Sequence, residues 1–354
     1  MSERRKSLLA DYTTFRIGGA AKTFITATTE AEIIAAVSAA DDQGEPLLIL
    51  SGGSNMLVSD AGFAGTVVHI ASRGIDAEAS PCAGAVVTVQ AGEVWDDFVE
   101  FAVVKCWAGI EALSGIPGLV GAAPVQNIGA YGQEVAGVIA QIRTWDRKLR
   151  TVRTFSVSEC EFGYRDSRFK RAVLGADGSG RYVVLAVQFQ FERSTLGFPI
   201  RYAELANALG VEVGTRVDAA EVRAAVLVLR AAKGMVATAD DHDSWSAGSF
   251  FTNPIIPATL ADTLPLDAPR FPQPDGNIKT SAAWLIDHAG FPKGFGLPNS
   301  PAGLSTKHVL ALTNRGNAKA ADVLALARAI RDGVRTTYGI TLTPEPLLVS
   351  LTLD

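Results

Sequence analysis

The sequence has few cysteines and no long hydrophobic run, and each absence excludes a class of protein. Its 354 residues include three cysteines, which are far apart and form no C-x-x-C pair: Cys82, Cys106 and Cys160. This spacing argues against a disulfide framework and against a thiolate zinc site. No segment approaches the roughly 18 apolar residues of a membrane-spanning helix, and the opening residues lack the apolar core of a signal peptide. The sequence therefore predicts a soluble, cytoplasmic protein that does not bind a membrane.

An excess of charge of one sign is also missing. Lys and Arg number 32 and Asp and Glu number 37, which gives a formal net charge of −5. No run of about five like charges marks a disordered interaction tail. A nucleic-acid partner is therefore not expected, although small basic pockets are compatible with this composition. With 48% hydrophobic residues, a chain of this length can bury two or three separate cores.

Several familiar catalytic motifs are absent as well. The sequence has no Walker A phosphate loop, no G-x-G-x-x-G dinucleotide turn, no G-x-S-x-G nucleophile elbow and no H-E-x-x-H zinc motif. Its four histidines are too scattered to suggest a metal site: His69, His242, His288 and His308. The sequence thus predicts no bound metal ion.

Helix and strand signals alternate along the chain. Thr29 and Glu32 form a capping box that predicts the start of a helix, and Gly44 predicts its end. The run PLLIL (46–50) predicts a short buried strand that leads directly into the glycine-rich turn SGGSN (51–55). Apolar periodicity predicts further helices over 94–106, 218–234 and 318–338, and β-like runs over 66–70, 86–90 and 183–191. This mixed pattern predicts an α+β protein.

Three glycine-rich stretches lie in the first half of the sequence. They are TTFRIGGAA (13–21), LSGGSNMLV (50–58) and SGIPGLVGAAPVQNIGAYGQE (114–134). Glycine lets backbone N–H groups surround a phosphate closely, so SGGSN after a strand is a candidate pyrophosphate site. Any one stretch alone is more typical of a tight turn. Three of them, the last long and nearly uncharged, favour a wide cofactor that carries a pyrophosphate.

These stretches and four shorter motifs, in this order, resemble the UDP-N-acetylenolpyruvoylglucosamine reductase family. The shorter motifs are FGYRDS (162–167), RAAKG (230–234), AGSFFTNP (247–254) and PEP (344–346). The resemblance extends over nearly the whole chain. It implies a two-domain FAD-binding fold of the vanillyl-alcohol-oxidase (PCMH) type and a third α+β domain that binds the substrate. The implied boundaries are 1–73, 74–232 and 233–354, with a catalytic tail at the C-terminus.

The resemblance also implies an activity. Members of this family use NADPH to reduce UDP-N-acetylglucosamine enolpyruvate to UDP-N-acetylmuramate, a peptidoglycan precursor. Hydride reaches C3 of the enolpyruvyl group through FAD. Related oxidases often carry a flavin-linked histidine after the serine-glycine-glycine turn, where this sequence has Ser54 and Asn55. We therefore expect non-covalent FAD. We separately expect the enzyme to be a monomer.

Three catalytic residues are implied by the matching motifs. Arg165 of GYRDS would hold the substrate carboxylate by bidentate hydrogen bonds while negative charge develops beside it. Ser249 of AGSFF would donate a proton to C2, and Glu345 of PEP would help to polarise or protonate the intermediate. Without the resemblance, Ser249 is more typical of a turn and Glu345 of an exposed strand start.

The matching motifs also imply binding residues. The expected substrate contacts are Tyr164, Tyr202, Arg230, Lys233, Asn253 and His308. Tyr202 would close over the substrate, and Arg230 and Lys233 would meet its diphosphate. These two cations also fit a solvated helix end, where positive charge is favourable in any case. The residues expected at FAD are Arg16, Gly18, Ser51, Gly52, Gly53, Ser54, Asn55, Gly115, Gly118, Gly121, Ala122, Gln126, Asn127, Gly129, Ala130 and Tyr131.

Two alternatives to this function stay open at the level of sequence. A sugar or lactone oxidase of the same fold is disfavoured because Asn55 stands where such an enzyme often has its linking histidine. A nucleotide-sugar-binding protein without catalysis is disfavoured because Arg165, Ser249 and Glu345 are all present.

Overall fold

The structure is a computed structural model and describes residues 7–80, 84–174 and 179–354. Cys82 lies outside the described residues, whereas Cys160 is a buried free thiol and Cys106 a half-buried one. None of the helices within the described ranges combines the length and the hydropathy of a membrane-spanning segment.

The described residues form strands and helices in alternation, as expected for an α+β protein. The strands are β1 (Ala21–Ala27), β2 (Leu47–Leu50), β3 (Met56–Val58), β4 (Phe63–Ile70), β5 (Ile75–Ser80), β6 (Gly84–Gln90), β7 (Trp107–Ala108), β8 (Gly129–Ala130), β9 (Gln133–Glu134), β10 (Ile139–Asp146), β11 (Thr151–Ser156), β12 (Val173–Leu174), β13 (Ser179–Gly180), β14 (Tyr182–Arg193), β15 (Ile255–Ile256), β16 (Arg270–Pro272), β17 (Ile278–Thr280), β18 (Ala302–Leu304), β19 (Leu312–Asn314) and β20 (Leu347–Val349). The α-helices are α1 (Glu30–Asp42), α2 (Trp95–Val104), α3 (Ala123–Gln126), α4 (Arg168–Arg171), α5 (Ala203–Leu209), α6 (Ala219–Ala232), α7 (Ala258–Ala261), α8 (Ala282–His288) and α9 (Ala320–Tyr338).

Local signals in the sequence set several helix ends. The Thr29 hydroxyl accepts the Glu32 N–H at the start of α1, which confirms the predicted helix start and its Thr29 cap. The other half of the predicted capping box is shifted by one residue, because the Glu32 carboxylate accepts from the N–H and hydroxyl of Thr28. Gly339 follows α9 with φ +70°, a left-handed conformation that ends the helix. Helix α2 ends two residues earlier than its apolar pattern predicts, because Cys106 adopts φ +58° and cannot continue a right-handed helix.

The chain forms two compact units. Among the described residues, the larger unit comprises Ala21–Gly52 and Ala64–Ala232, and the smaller unit comprises residues 7–20, Gly53–Phe63 and Lys233–Asp354. The division into three domains at residues 73 and 232, which the resemblance implies, stays a prediction.

The larger unit is built on an antiparallel sheet with the strand order β11-β10-β14-β6-β5, and β7 also pairs with β14. A second sheet has the order β1-β4-β2, in which β2 and β4 run parallel. Aromatic side chains fill the main core, where the ring centroids of Phe98 on α2 and Phe189 on β14 lie 5.0 Å apart. A separate small core joins α5 and α6 to the turn Glu111–Leu113 through Ala112, Ile200, Leu205, Ala206, Val222 and Val226.

The smaller unit joins the two ends of the sequence. Strand β3 pairs in parallel with β20, with Met56 opposite Leu347 and Val58 opposite Val349. The fully buried side chains of Phe15, Leu57, Phe250 and Phe251 share one core with the apolar face of α9. Two short N-terminal segments therefore fold with the C-terminal third of the chain.

Candidate active site

Ser249 and Glu345 lie on two segments of the smaller unit that pair through their backbones. The Glu345 N–H donates to the Phe250 carbonyl at 2.9 Å, and the Phe250 N–H donates to the Leu310 carbonyl at 2.7 Å. Gly248 has φ +72°, a left-handed conformation that favours glycine immediately before Ser249. The Ser249 side chain is half-buried. The two predicted proton-handling residues thus share one neighbourhood.

Asn55 and His308 lie beside this pair of segments. The Asn55 carbonyl accepts the Leu347 N–H at 3.0 Å, and its side-chain amide donates to the Glu345 carbonyl at 3.5 Å. His308 accepts the Leu310 N–H on Nδ1 at 3.0 Å. Both residues help to place the backbone around Ser249 and Glu345.

Asn253 is partly committed to a structural contact. Its Oδ1 accepts the N–H of Ala282, the first residue of α8, at 2.9 Å. The amide NH₂ is therefore the part of Asn253 that a substrate could use.

The first glycine-rich stretch packs against the second within the smaller unit. Gly53 has φ +57°, and a Cβ there would lie 1.8 Å from the Tyr12 carbonyl, so this position requires glycine. Gly18 has φ +142°. The Thr14 hydroxyl donates a hydrogen bond to the Ser54 carbonyl at 3.4 Å, which links the two stretches. Arg16 lies over the Trp245 ring, with Cζ 3.9 Å from the ring centroid. Trp245 could not be predicted as a partner of Arg16 from the sequence, because the two residues are remote along the chain.

In the larger unit, the second and third glycine-rich stretches meet backbone to backbone. A Cβ on Gly52 would lie 2.7 Å from the Gly118 Cα. The third stretch also packs tightly beside β6, because a Cβ on Gly121 would lie 2.5 Å from the Ala91 Cβ. The Ser51 Oγ is buried and has no hydrogen-bond partner among the described residues. A buried hydroxyl without a protein partner beside closely packed backbone fits a bound phosphate or sugar group. These residues of the described chain therefore fit the FAD that the resemblance implies.

Replacing Gly52 with alanine is expected to weaken FAD binding. The added methyl group would force the backbones of Gly52 and Gly118 apart, and overpacking of this kind costs about 1–3 kcal/mol. Binding should weaken roughly tenfold to a hundredfold, measured as flavin absorbance per protein after dialysis against graded FAD. Gly137→Ala is the matched control, because a Cβ there would meet nothing within 4 Å. Full FAD occupancy in Gly52→Ala would show that this contact is not part of the cofactor site.

Other residues predicted to contact FAD lie within the third glycine-rich stretch. Ala122 ends a 3-10 turn, Gln126 ends α3 and Ala130 lies in β8. Asn127 is buried with φ +43°, and its side chain donates to Gly163 and Glu134. Since these contacts occupy its amide NH₂, Asn127 shapes the loop from within.

Arg165 is held against the same stretch. Its guanidinium donates to the carbonyl of Gly129 at 2.7 Å and to that of Asn127 at 3.3 Å. The Lys170 ammonium donates to the Arg165 carbonyl at 2.9 Å, and Arg165 itself has φ +53°. Tyr164 is partly exposed, with its ring centroid 5.7 Å from the Arg165 Cζ. The guanidinium is therefore preorganised by the loop that carries the predicted FAD contacts.

A second cation and two tyrosines belong to the same neighbourhood of the larger unit. Burial lowers the pKa of Arg230 and the positive charge of Arg165 adds to this, whereas Tyr131 and Asp96 oppose it. Burial and the Glu204 carboxylate raise the pKa of Tyr131 to about 12, so it stays a neutral phenol. The Tyr131 ring meets the Tyr202 ring edge to face at 6.0 Å. Two arginines that influence each other electrostatically suit an anionic ligand.

Lys233 follows α6, is half-buried and belongs to the smaller unit.

The ion pair between Asp96 and Arg223 was not predicted from the sequence, although Arg223 lies on the same helix as Arg230. Asp96 on α2 accepts the Gly115 N–H at 2.6 Å and two hydrogen bonds from Arg223 at 2.6 and 3.0 Å. Burial opposes ionisation of Asp96, but the Arg223 and Gly115 contacts outweigh it and lower the pKa of the carboxyl group. Arg223 lies two helical turns before Arg230 on α6, and this spacing was the available signal.

The described residues were also compared with the ligand sets that hold metal ions. Across residues 7–80, 84–174 and 179–354, no group of three or more His, Cys, Asp or Glu side chains is arranged to hold a metal ion.

Known proteins resemble this chain over almost its whole length. The model of the FAD binding domain family matches residues 21–147, and that of the UDP-N-acetylenolpyruvoylglucosamine reductase C-terminal domain matches residues 240–349. The UDP-N-acetylenolpyruvoylglucosamine reductase of Cutibacterium acnes is 57% identical over 98% of this chain and 90% of its own length. The enzyme of that name from Streptomyces avermitilis is 51% identical over 100% of this chain and 96% of its own length.

A solved structure confirms the fold. The crystal structure of a UDP-N-acetylenolpyruvylglucosamine reductase from Thermus caldophilus matches with a TM-score of 0.64 at 24% identity and covers 97% of each chain. Together with the FAD binding domain match, this likeness confirms the expected FAD-binding architecture.

Proposed function

Because the chain belongs to the UDP-N-acetylenolpyruvoylglucosamine reductase family, we propose that it reduces UDP-N-acetylglucosamine enolpyruvate to UDP-N-acetylmuramate at the expense of NADPH. It is an FAD-dependent oxidoreductase of peptidoglycan precursor synthesis. Bound FAD would supply hydride transfer between NADPH and the enolpyruvyl double bond. The expected cytoplasmic location and monomeric state stay predictions.

Arg165 binds the enolpyruvyl carboxylate in this proposal. Reduction at C3 places negative charge on C2, and that charge spreads into the adjacent carboxylate. A guanidinium held by the carbonyl groups of Asn127 and Gly129 needs little rearrangement to stabilise this charge as it develops. The support for this role is the fixed position of Arg165, together with its place in the GYRDS motif.

Ser249 donates the proton to C2, and Glu345 assists it. The single observation that supports this pairing most directly is the 2.9 Å hydrogen bond from the Glu345 N–H to the Phe250 carbonyl, which joins the segments that carry both residues. A serine hydroxyl is a weak acid near neutral pH, so its alkoxide needs stabilisation by neighbouring polar groups. Glu345 and His308 lie on segments that contact this loop.

The UDP-sugar is held by the predicted substrate residues. Arg230 and Lys233 neutralise the diphosphate, and Tyr202 covers the sugar from a position where it is 52% exposed. The partly exposed ring of Tyr164 and the side chains of Asn253 and His308 complete the set of contacts.

Anaerobic titration of the purified protein tests the proposal. Flavin absorbance should bleach on addition of NADPH and return on addition of UDP-N-acetylglucosamine enolpyruvate, and equimolar UDP-N-acetylmuramate should form. UDP-N-acetylglucosamine, which lacks the enolpyruvyl group, is the control and should leave the bleached flavin unchanged. A colourless protein that binds no FAD, or a bleached flavin that the enolpyruvyl sugar does not reoxidise, would contradict the proposed function.

A further inference from the structure

Glu111 is a fully buried acidic residue that the proposed chemistry does not use. It begins a 3-10 turn in the larger unit, and the residue is 0% exposed. Its Oε2 accepts the Gly109 N–H at 2.7 Å, and its Oε1 accepts both Gln133 Nε2 and the Phe198 N–H at 2.6 Å. A buried acidic group is costly unless hydrogen bonds satisfy it. Glu111 therefore marks a point where three separate segments are held together.

The two donors on Oε1 come from the segments that carry the two tyrosines. Gln133 follows Tyr131 by two residues, and Phe198 precedes Tyr202 by four. The tyrosine rings meet edge to face with centroids 6.0 Å apart. Gln133 cannot turn its amide over freely, since its Oε1 accepts the Ala112 N–H at 2.9 Å. One carboxyl oxygen thus joins the Tyr131 segment to the Tyr202 segment.

The Tyr202 segment, residues 196–217, fits closely against this oxygen. The Gly197 N–H donates to the Val217 carbonyl at 2.8 Å, so backbone pairing closes the segment on itself. A Cβ on Gly197 would lie 2.7 Å from Glu111 Oε1. A methyl group at position 197 would therefore displace the Glu111 carboxylate from its hydrogen bonds, so the position of the segment depends on Glu111. The side chain of Ala112, next to Glu111, also packs into the small core that holds α5 and α6.

We infer that Glu111 is a positioning residue, which holds Tyr202 against Tyr131 and so orders the surface that receives the UDP-sugar. The inference rests on the proposed function, in which Tyr202 closes over the substrate. Glu111 touches neither substrate nor cofactor in this scheme. Its effect should therefore appear in substrate binding and leave the reaction with NADPH unchanged.

Glu111→Gln tests this role with almost no change in shape. Whichever way the new amide turns, its NH₂ faces an N–H donor, either that of Gly109 or those of Gln133 and Phe198. We expect the KM for UDP-N-acetylglucosamine enolpyruvate to rise about tenfold. The rate of flavin reduction by NADPH should stay within about twofold of wild type. Glu212→Gln, an exposed position on the same segment, is the matched control and should change neither quantity.

Gly197→Ala approaches the same contact from the other side. It should raise the KM in the same way, so the inference can be tested even if Glu111→Gln folds poorly. Each change is then repeated in a Tyr202→Ala background. If Glu111 acts through Tyr202, neither change should raise the KM further there, whereas a general loss of packing would add its full effect.

Two results would overturn the inference. One is an equal effect of Glu111→Gln with and without Tyr202, and the other is parallel slowing of both half-reactions. A wild-type enzyme that is reduced by NADPH but is not reoxidised by the enolpyruvyl sugar would instead count against the proposed function. The two failures are therefore distinguishable.

Discussion

Ser249→Ala should leave flavin reduction by NADPH near the wild-type rate and slow reoxidation by UDP-N-acetylglucosamine enolpyruvate about 10²- to 10⁴-fold. The physical reason is that only the second half-reaction requires a proton at C2. Hydride addition to C3 without concerted or rapid protonation leaves an unstable carbanion, so the barrier rises. Anaerobic stopped-flow absorbance measures the two half-reactions separately.

The controls for this experiment lie at the same loop. Thr252→Val removes a neighbouring hydroxyl, which donates to the Thr343 carbonyl at 3.4 Å, and should leave both rates intact. Ser249→Cys restores an ionisable proton at the same atom position and should recover part of the lost rate. If Ser249→Ala and wild type are reoxidised equally fast, Ser249 is a turn residue and the proton comes from elsewhere.

Arg165→Met should produce the second large loss. The substitution removes the cation that the proposal places at the developing carboxylate charge, and loss of one preorganised donor of this kind costs about 10²–10³-fold in rate. Arg165→Lys keeps the charge but not the planar pair of N–H groups, so it should recover only part of the rate. Met and Lys are both unbranched at Cβ, so the left-handed backbone at φ +53° should destabilise the two variants equally and leave their rates comparable.

A structural explanation for Arg165 must be separated from a catalytic one, because its guanidinium also braces the carbonyl groups of Asn127 and Gly129. FAD content and the rate of flavin reduction by NADPH report on that loop and should stay close to wild type. Arg143→Lys, at an exposed ion pair with Glu30 in the same unit, serves as the control. Loss of FAD together with activity in Arg165→Met would assign the residue to loop structure.

Much of the local structure was predictable from the sequence because its causes are local. The Thr29 cap, the buried face of α2 and the end of α9 depend on residues within one or two turns of each other. The glycine-rich stretches were identified as binding loops for the same reason, since glycine permits backbone conformations that other residues disfavour. The identities of Ser249, Arg165 and Glu345 as candidates came from motif resemblance, and their chemistry alone would not have singled them out.

The partners of these residues were decided only in the tertiary structure. Asn55 and Glu345 are 290 positions apart, yet their segments meet because β3 pairs with β20. The sequence pattern of a short strand shows which residues alternate between faces, but not which strand will lie beside it. The same limit hid the Asp96–Arg223 pair and the hydrogen bond from Phe198 to Glu111, which span 127 and 87 positions.

The sequence by itself determined the composition class, the helices and strands with strong periodicity, and the glycine loops. The tertiary structure alone decided that two N-terminal segments fold with the C-terminal third, and that Tyr131, Tyr202, Arg165 and Arg230 gather in the larger unit. The physical reason is that turns, caps and amphipathic faces are set by neighbours in sequence. Long-range strand pairing and buried ion pairs depend on which distant surfaces can be buried together.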